Sequence, residues 1–139
     1  MRDFYELDTV TVNEESGVIS LGASGGAVTP RLSLRREGGY VAISISYGPL
    51  EMALRPRYPE LTRVLGRLRP VSGLQTTRQV GTGQAYLALG LREDNMLVLR
   101  PTIVADATGH LTYNLLLSDA VRHTLYEWLQ VEIETQDVE

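Results

Sequence analysis

Apolar and polar residues alternate along most of this chain, and only two segments shift to a helical spacing. Val41, Ile43, Ile45 and Tyr47 share one face, while Tyr40, Ala42, Ser44 and Ser46 share the other, the period of a half-buried strand. Leu32 and Leu34 alternate with Arg31, Ser33 and Arg35 in the same way. Glu37-Gly38-Gly39 predicts the hairpin turn between these strands, and Gly48-Pro49 turns the chain into a returning strand over Leu50 to Leu54. Upstream, Tyr5 to Val12 reads as one strand and Val18 to Leu21 as another. A turn over 14–17 separates them, and Gly22-Ala23-Ser24-Gly25-Gly26 follows as a flexible loop. Leu61, Val64, Leu65 and Leu68 then follow at i, i+3, i+4 and i+7, behind Pro59 at the start of a helix and ahead of Pro70, which stops it.

After a linker over 69–77 the pattern returns. Ala85, Leu87, Leu89 and Leu91 share a face within a strand over 79–91, and Arg92-Glu93-Asp94-Asn95 makes a turn. Met96 to Asp106 reads as a strand that Pro101 must interrupt, as an edge, a bulge or two short strands. Ala107-Thr108-Gly109 turns into a strand over 110–117. Ser118 or Asp119 can cap a final helix whose stripe is Val121, Leu125, Trp128 and Leu129. The tail over 131–139 is acidic and is expected to fray.

The two halves are weakly self-similar. Gly48-Pro49-Leu50 and Gly109-His110-Leu111 lie 61 residues apart, and at that offset Leu54 meets Leu115, Val64 meets Leu125 and Leu68 meets Leu129. With slippage, Leu32-Ser33-Leu34-Arg35 matches Leu97-Val98-Leu99-Arg100. The reading is an α+β fold in a single domain over 1–139: two antiparallel β-sheets, each followed by a helix, from a duplicated ββββα repeat at about 17–69 and 83–130. This order and spacing of elements over roughly 17–130 resembles the Whirly single-stranded-DNA-binding family, with related units in the Pur family and in dimeric single-strand-binding coactivators. The resemblance implies a single-stranded nucleic-acid-binding fold. It is one of topology alone: the Lys-Gly-Lys-Ala-Ala-Leu signature of plant Whirly proteins has no counterpart in a chain without lysine. No family residue is therefore carried over.

Charge sharpens the picture. The net charge is −4, yet 31–78 holds nine arginines against three glutamates, leaving the remainder strongly acidic. If the alternating leucines face a core, Arg31, Arg35 and Tyr40 face outward among serines. Arg36, Arg55 and Arg57 would widen that patch into one able to hold phosphates and stack a base. A solvated sheet face reads the same way, and the acidic remainder opposes tight, nonspecific binding of a polyanion. In the second half Tyr86, Met96 and Val98 would point outward, which suits an interface between copies of the chain or a sheet that curls to bury them.

Catalytic chemistry finds little support. His110 and His123 are too few for a metal site, although His123 and Glu127 can pair across a helical turn. The glycine-rich loop over 22–26 lacks the lysine and the following helix of a phosphate loop. No cysteine is present, no apolar run is long enough to span a membrane, and the first residues are charged. The expectation is a cytoplasmic, non-enzymatic binding protein without metal or cofactor. It would bind single-stranded nucleic acid through Arg31, Arg35, Arg36, Tyr40, Arg55 and Arg57. The alternative is a protein–protein interaction or regulatory module.

Overall fold

The computed structural model describes residues 4–25 and 28–134. Gly26 of the expected loop and residues 135–139 of the expected tail lie outside them. Twelve strands and two helices follow one another: β1 Tyr5–Leu7, β2 Thr9–Asn13, β3 Val18–Gly22, β4 Arg31–Glu37, β5 Tyr40–Tyr47, β6 Leu50–Leu54, α1 Tyr58–Gly66, β7 Pro70–Val71, β8 Arg78–Gly81, β9 Ala85–Arg92, β10 Leu97–Asp106, β11 Gly109–Thr112, β12 Leu115–Leu117 and α2 Asp119–Leu129. Strands β2 to β6 form a five-stranded antiparallel meander in chain order. The others form a seven-stranded sheet ordered β1-β12-β10-β9-β7, with β8 also on β9 and β11 also on β10. The class is α+β, with two mostly antiparallel sheets. Neither helix is long and apolar enough to cross a membrane.

Register explains the faces. Leu21, Leu32, Ile45 and Met52 lie side by side across four strands, as do Ile19, Leu34, Ile43 and Leu54, and all are buried. From the other sheet Leu87, Leu89, Leu97, Leu99 and Leu115 turn inward, and the helices add Leu61, Leu65, Leu125 and Leu129. A void of only about 20 Å³ is left where leucines of both sheets and both helices meet. Each buried leucine contributes roughly 1.5–3 kcal/mol by leaving water.

Helix ends inside such a core need partners for their last carbonyls. Each helix receives one from the other. The Tyr126 hydroxyl donates to the Leu65 carbonyl at 3.1 Å, and the Tyr58 hydroxyl donates to the Leu129 carbonyl at 2.5 Å. The Glu134 amide closes the Gly66 carbonyl, so the segment after α2 straps across the end of α1. At the N-terminus of α2, Ser118 is the cap, accepting from the Val121 amide, as the sequence suggests.

Five expectations need correction. The strand over 79–91 is two strands, β8 and β9, paired antiparallel. The single strand over 5–12 is two strands in different sheets. Asp8 is the joint, its carboxylate accepting from the Ser24 amide and hydroxyl, and β1 pairs in parallel with β12. The linker contains β7, which pairs in parallel with β9, so the seven-stranded sheet is mixed and not purely antiparallel. Pro101 does not interrupt β10. It sits where the strand hands over from β12 to β11, so its missing N–H breaks no continuous ladder on that side. The strand over 110–117 divides into β11 and β12.

The segment over 72–77 passes over Gly90, where a Cβ would overlap the Gln75 carbonyl oxygen. Gly90→Ala should therefore cost about 1–3 kcal/mol in a urea melt, while Gly39→Ala, with open space around it, should stay within about 0.5 kcal/mol of the native chain. Tyr126→Phe should cost about 1 kcal/mol. Burial holds the Tyr126 hydroxyl above its ordinary value of 10.0, with Arg122 partly opposing. A raised folded-state value stabilises the fold fully below pH 10 and progressively less as pH climbs through that value. Native urea midpoints should fall above pH 10, and Tyr126→Phe should flatten that fall.

Candidate nucleic-acid interface

The face of the five-stranded sheet that points away from the leucines has a floor of small side chains. Thr11, Ser20, Ser33, Ser44 and Ala53 align in one row across all five strands, the period of two having placed most of the larger apolar residues on the other side. Charges flank this row. On one side Arg31 aligns with Ser46 and Glu51, and on the other Arg35 aligns with Val18 and Ala42. Arg31 and Arg35 are both exposed and lie about 13 Å apart along β4. Beyond Arg35, Glu37 pairs with Tyr40, and Tyr40 bridges to Arg57 at the mouth of α1.

Electrostatic partners divide the arginines. Glu37 takes both Arg35, at 2.8 Å, and Arg55, at 3.2 Å. These guanidinium side chains remain more than half exposed, 55% and 60%, so the pairing is screened and weak. Arg55 also lies 5.1 Å from the centre of the Tyr40 ring, and Tyr40 keeps 40% of its surface in water. Arg31 and Arg57 make no ion pair among the described residues. Glu51 accepts from the Ser44 hydroxyl at 3.1 Å. Four arginines and one tyrosine thus share this face with two glutamates.

The structure brings together Arg31, Arg35, Tyr40, Arg55 and Arg57, but not Arg36. That residue falls on the inner-face parity with Leu32 and Leu34, and its guanidinium packs 3.5 Å from the centre of the Tyr58 ring on α1. The residues expected at an interface between copies also separate. Val98 has no accessible surface, because it lies beside Gly90 under the segment over 72–77. A buried side chain cannot meet a partner, so Val98 is lost from that surface, whereas Tyr86 and Met96 are half-buried.

A concave, polar groove on the seven-stranded sheet escaped the sequence reading. Arg100, Tyr86 and Thr102 lie along it, and the bulge between Val104 and Asp106 curls its wall. Alternation marked Tyr86 and Arg100 as outward, but nothing in the sequence showed that the face curves. His123 and Glu127 do pair, at 3.5 Å, both exposed, and no cluster of metal-ligating side chains exists among the described residues. No known family model, curated protein or solved structure matches this chain.

The Glu37 pairing yields a direct expectation for stability. Glu37→Gln removes two exposed ion pairs and should shift the urea midpoint by no more than about 0.5 kcal/mol in free energy.

Proposed function

We propose that this chain is a non-enzymatic protein that holds single-stranded nucleic acid on the outer face of its five-stranded sheet. One observation carries the reading: Arg31, Arg35, Arg55, Arg57 and the exposed Tyr40 gather on one face, over a floor of serine, threonine and alanine. Small floor residues let a strand lie close to the sheet. Arginines take phosphates as planar forks, and a tyrosine ring stacks a base of any identity. Arg31 and Arg57 are the strongest anchors because no carboxylate competes for them among the described residues. Arg35 and Arg55 must first be shared with Glu37, so affinity is modest and salt-sensitive.

A duplicated ββββα ancestry in the Whirly manner belongs to the same proposal. Its support is the recurrence of order: β3 to β6 then α1, and β8 to β11, with β12, then α2. The helices begin at Tyr58 and Asp119, which keeps the 61-residue offset of the sequence matches. Self-association, if it uses the second sheet, has Tyr86 and Met96 to work with.

A protein-interaction module is the second reading. It is favoured by Glu37, which neutralises the middle of the patch. Titration of a fluorescent oligo-dT at low and high salt separates the two. Binding at low salt that weakens as salt rises supports the first. Arg31→Gln and Arg57→Gln should each lower affinity and reduce the salt slope by about 0.7, the single-strand value for one phosphate contact. Glu37→Gln should raise affinity by freeing two cations. An absence of binding at low salt removes the nucleic-acid reading and leaves the interaction module.

A further inference from the structure

The groove on the seven-stranded sheet has about 500 Å³ of space and a largely polar lining, within the size range of small-molecule sites. Its outer face points away from the shared leucine core, as does the arginine-bearing face of the other sheet. The two surfaces approach each other only where Tyr86 and Arg55 border one cavity, and Arg100 lies on the groove alone.

One side chain defines the chemistry. Arg100 lies on the floor next to Ala88, and Ala88 is next to Gln79. Its Nε donates to the Asn114 side-chain oxygen at 3.0 Å, which fixes the guanidinium plane. Its terminal amino groups have no acceptor among the described residues. Among the described residues one carboxylate lines the groove, Asp106, and the adjoining turn holds one of its oxygens. It accepts from the Thr108 amide at 2.7 Å and hydroxyl at 2.6 Å. An oriented, half-buried guanidinium whose groove carboxylate lies six residues away along β10, about 20 Å, is a recognition site for an anion brought by a ligand.

The remaining lining gives the ligand a body. Tyr86 and Thr102 are cross-strand neighbours two residues further along, about 7 Å from the Arg100 row. The Tyr86 ring is half-buried, and its hydroxyl makes no bond to the described residues, so one ring face and one donor are available. Thr102 donates to the Arg100 carbonyl at 3.3 Å and shares a hydrogen bond with Thr112 at 3.1 Å, so both hydroxyls are held in place along the floor. His110 lies about 13 Å from Arg100 along the strands, before the turn that ends the groove. The order is cation, aromatic ring with hydroxyls, then imidazole. A mononucleotide with its phosphate on Arg100 reaches the Tyr86 ring with its planar base. An apolar ligand would leave the Arg100 amino groups and the Tyr86 hydroxyl unpaired.

We propose that this groove binds a free phosphomonoester of mononucleotide size, with its phosphate on Arg100 and its ring over Tyr86. The site does not depend on the nucleic-acid reading, and its test reports on different residues. Amide NMR of the full chain would be followed during titration with AMP, adenosine, ribose 5-phosphate and oligo-dT. AMP should shift Tyr86, Arg100, Thr102 and Thr112. Adenosine, lacking the phosphate, should bind at least tenfold more weakly, a loss of about 1.4 kcal/mol or more. Arg100→Gln should lose AMP by a similar factor. Gln79→Glu, at an exposed position, adds a repelling carboxylate at the groove without touching the core and should also weaken AMP. Tyr86→Leu should weaken AMP but not ribose 5-phosphate. Any of three results overturns the proposal: no shifts with millimolar AMP, shifts that survive both Arg100→Gln and Gln79→Glu, or groove shifts produced by oligo-dT alone. The last would make the groove part of a strand path.

Discussion

Two sheets and two short helices of this chain close on a single layer of leucines, and that shared interior constrains everything outside it. Leu32, Leu34 and Ile43 of one sheet, Leu87, Leu89 and Leu99 of the other, and Leu61, Leu65, Leu125 and Leu129 of the helices border one nearly filled space. Neither sheet has another apolar face large enough to bury, so each has one orientation available. The helices are too short to stand alone. They are held because each ends against the other, with Tyr58 and Tyr126 closing carbonyls that a buried helix end would otherwise leave unpaired.

With the inner faces fixed, alternation dictates what the outer faces display, and the two differ in kind. The five-stranded sheet shows a flat floor of small polar residues edged by arginines. The seven-stranded sheet is partly roofed by its own 72–77 segment and curled by the β10–β11 bulge, so its outer face becomes a groove. The first suits an extended polyanion and the second a compact anionic molecule. Both uses rest on arginine, the only cationic residue type besides histidine in this chain.

Local pattern carried much of this. The meander from β3 to β6, most of both helical stripes and the Ser118 cap are readable because each is set by neighbours in sequence, although Leu68 lies past the end of α1 and Tyr126 is buried more deeply than Trp128. What escaped was set by distance. The break at Asp8 depends on Ser24 and on a parallel partner at β12, and β7 is too short to signal itself. Pro101 sits mid-strand because two different strands divide its neighbour's place. At the site, parity put Arg31, Arg35 and Tyr40 on one face correctly. The same parity sets Arg36 on the side of Leu32 and Leu34, but it could not show that Arg36 packs on Tyr58, that Glu37 holds two arginines, or that Gln75 covers Gly90 beside Val98. These depend on loops and pairings that no period reveals.

Photo-cross-linking of a thymine-rich single strand to the full chain, followed by peptide mapping, addresses the main assignment most directly. A strand lying across the outer face of the five-stranded sheet should link to the peptide carrying Tyr40 and leave the 86–112 segment unmarked. Cross-links scattered over the surface, or absent from 31–57, would contradict it.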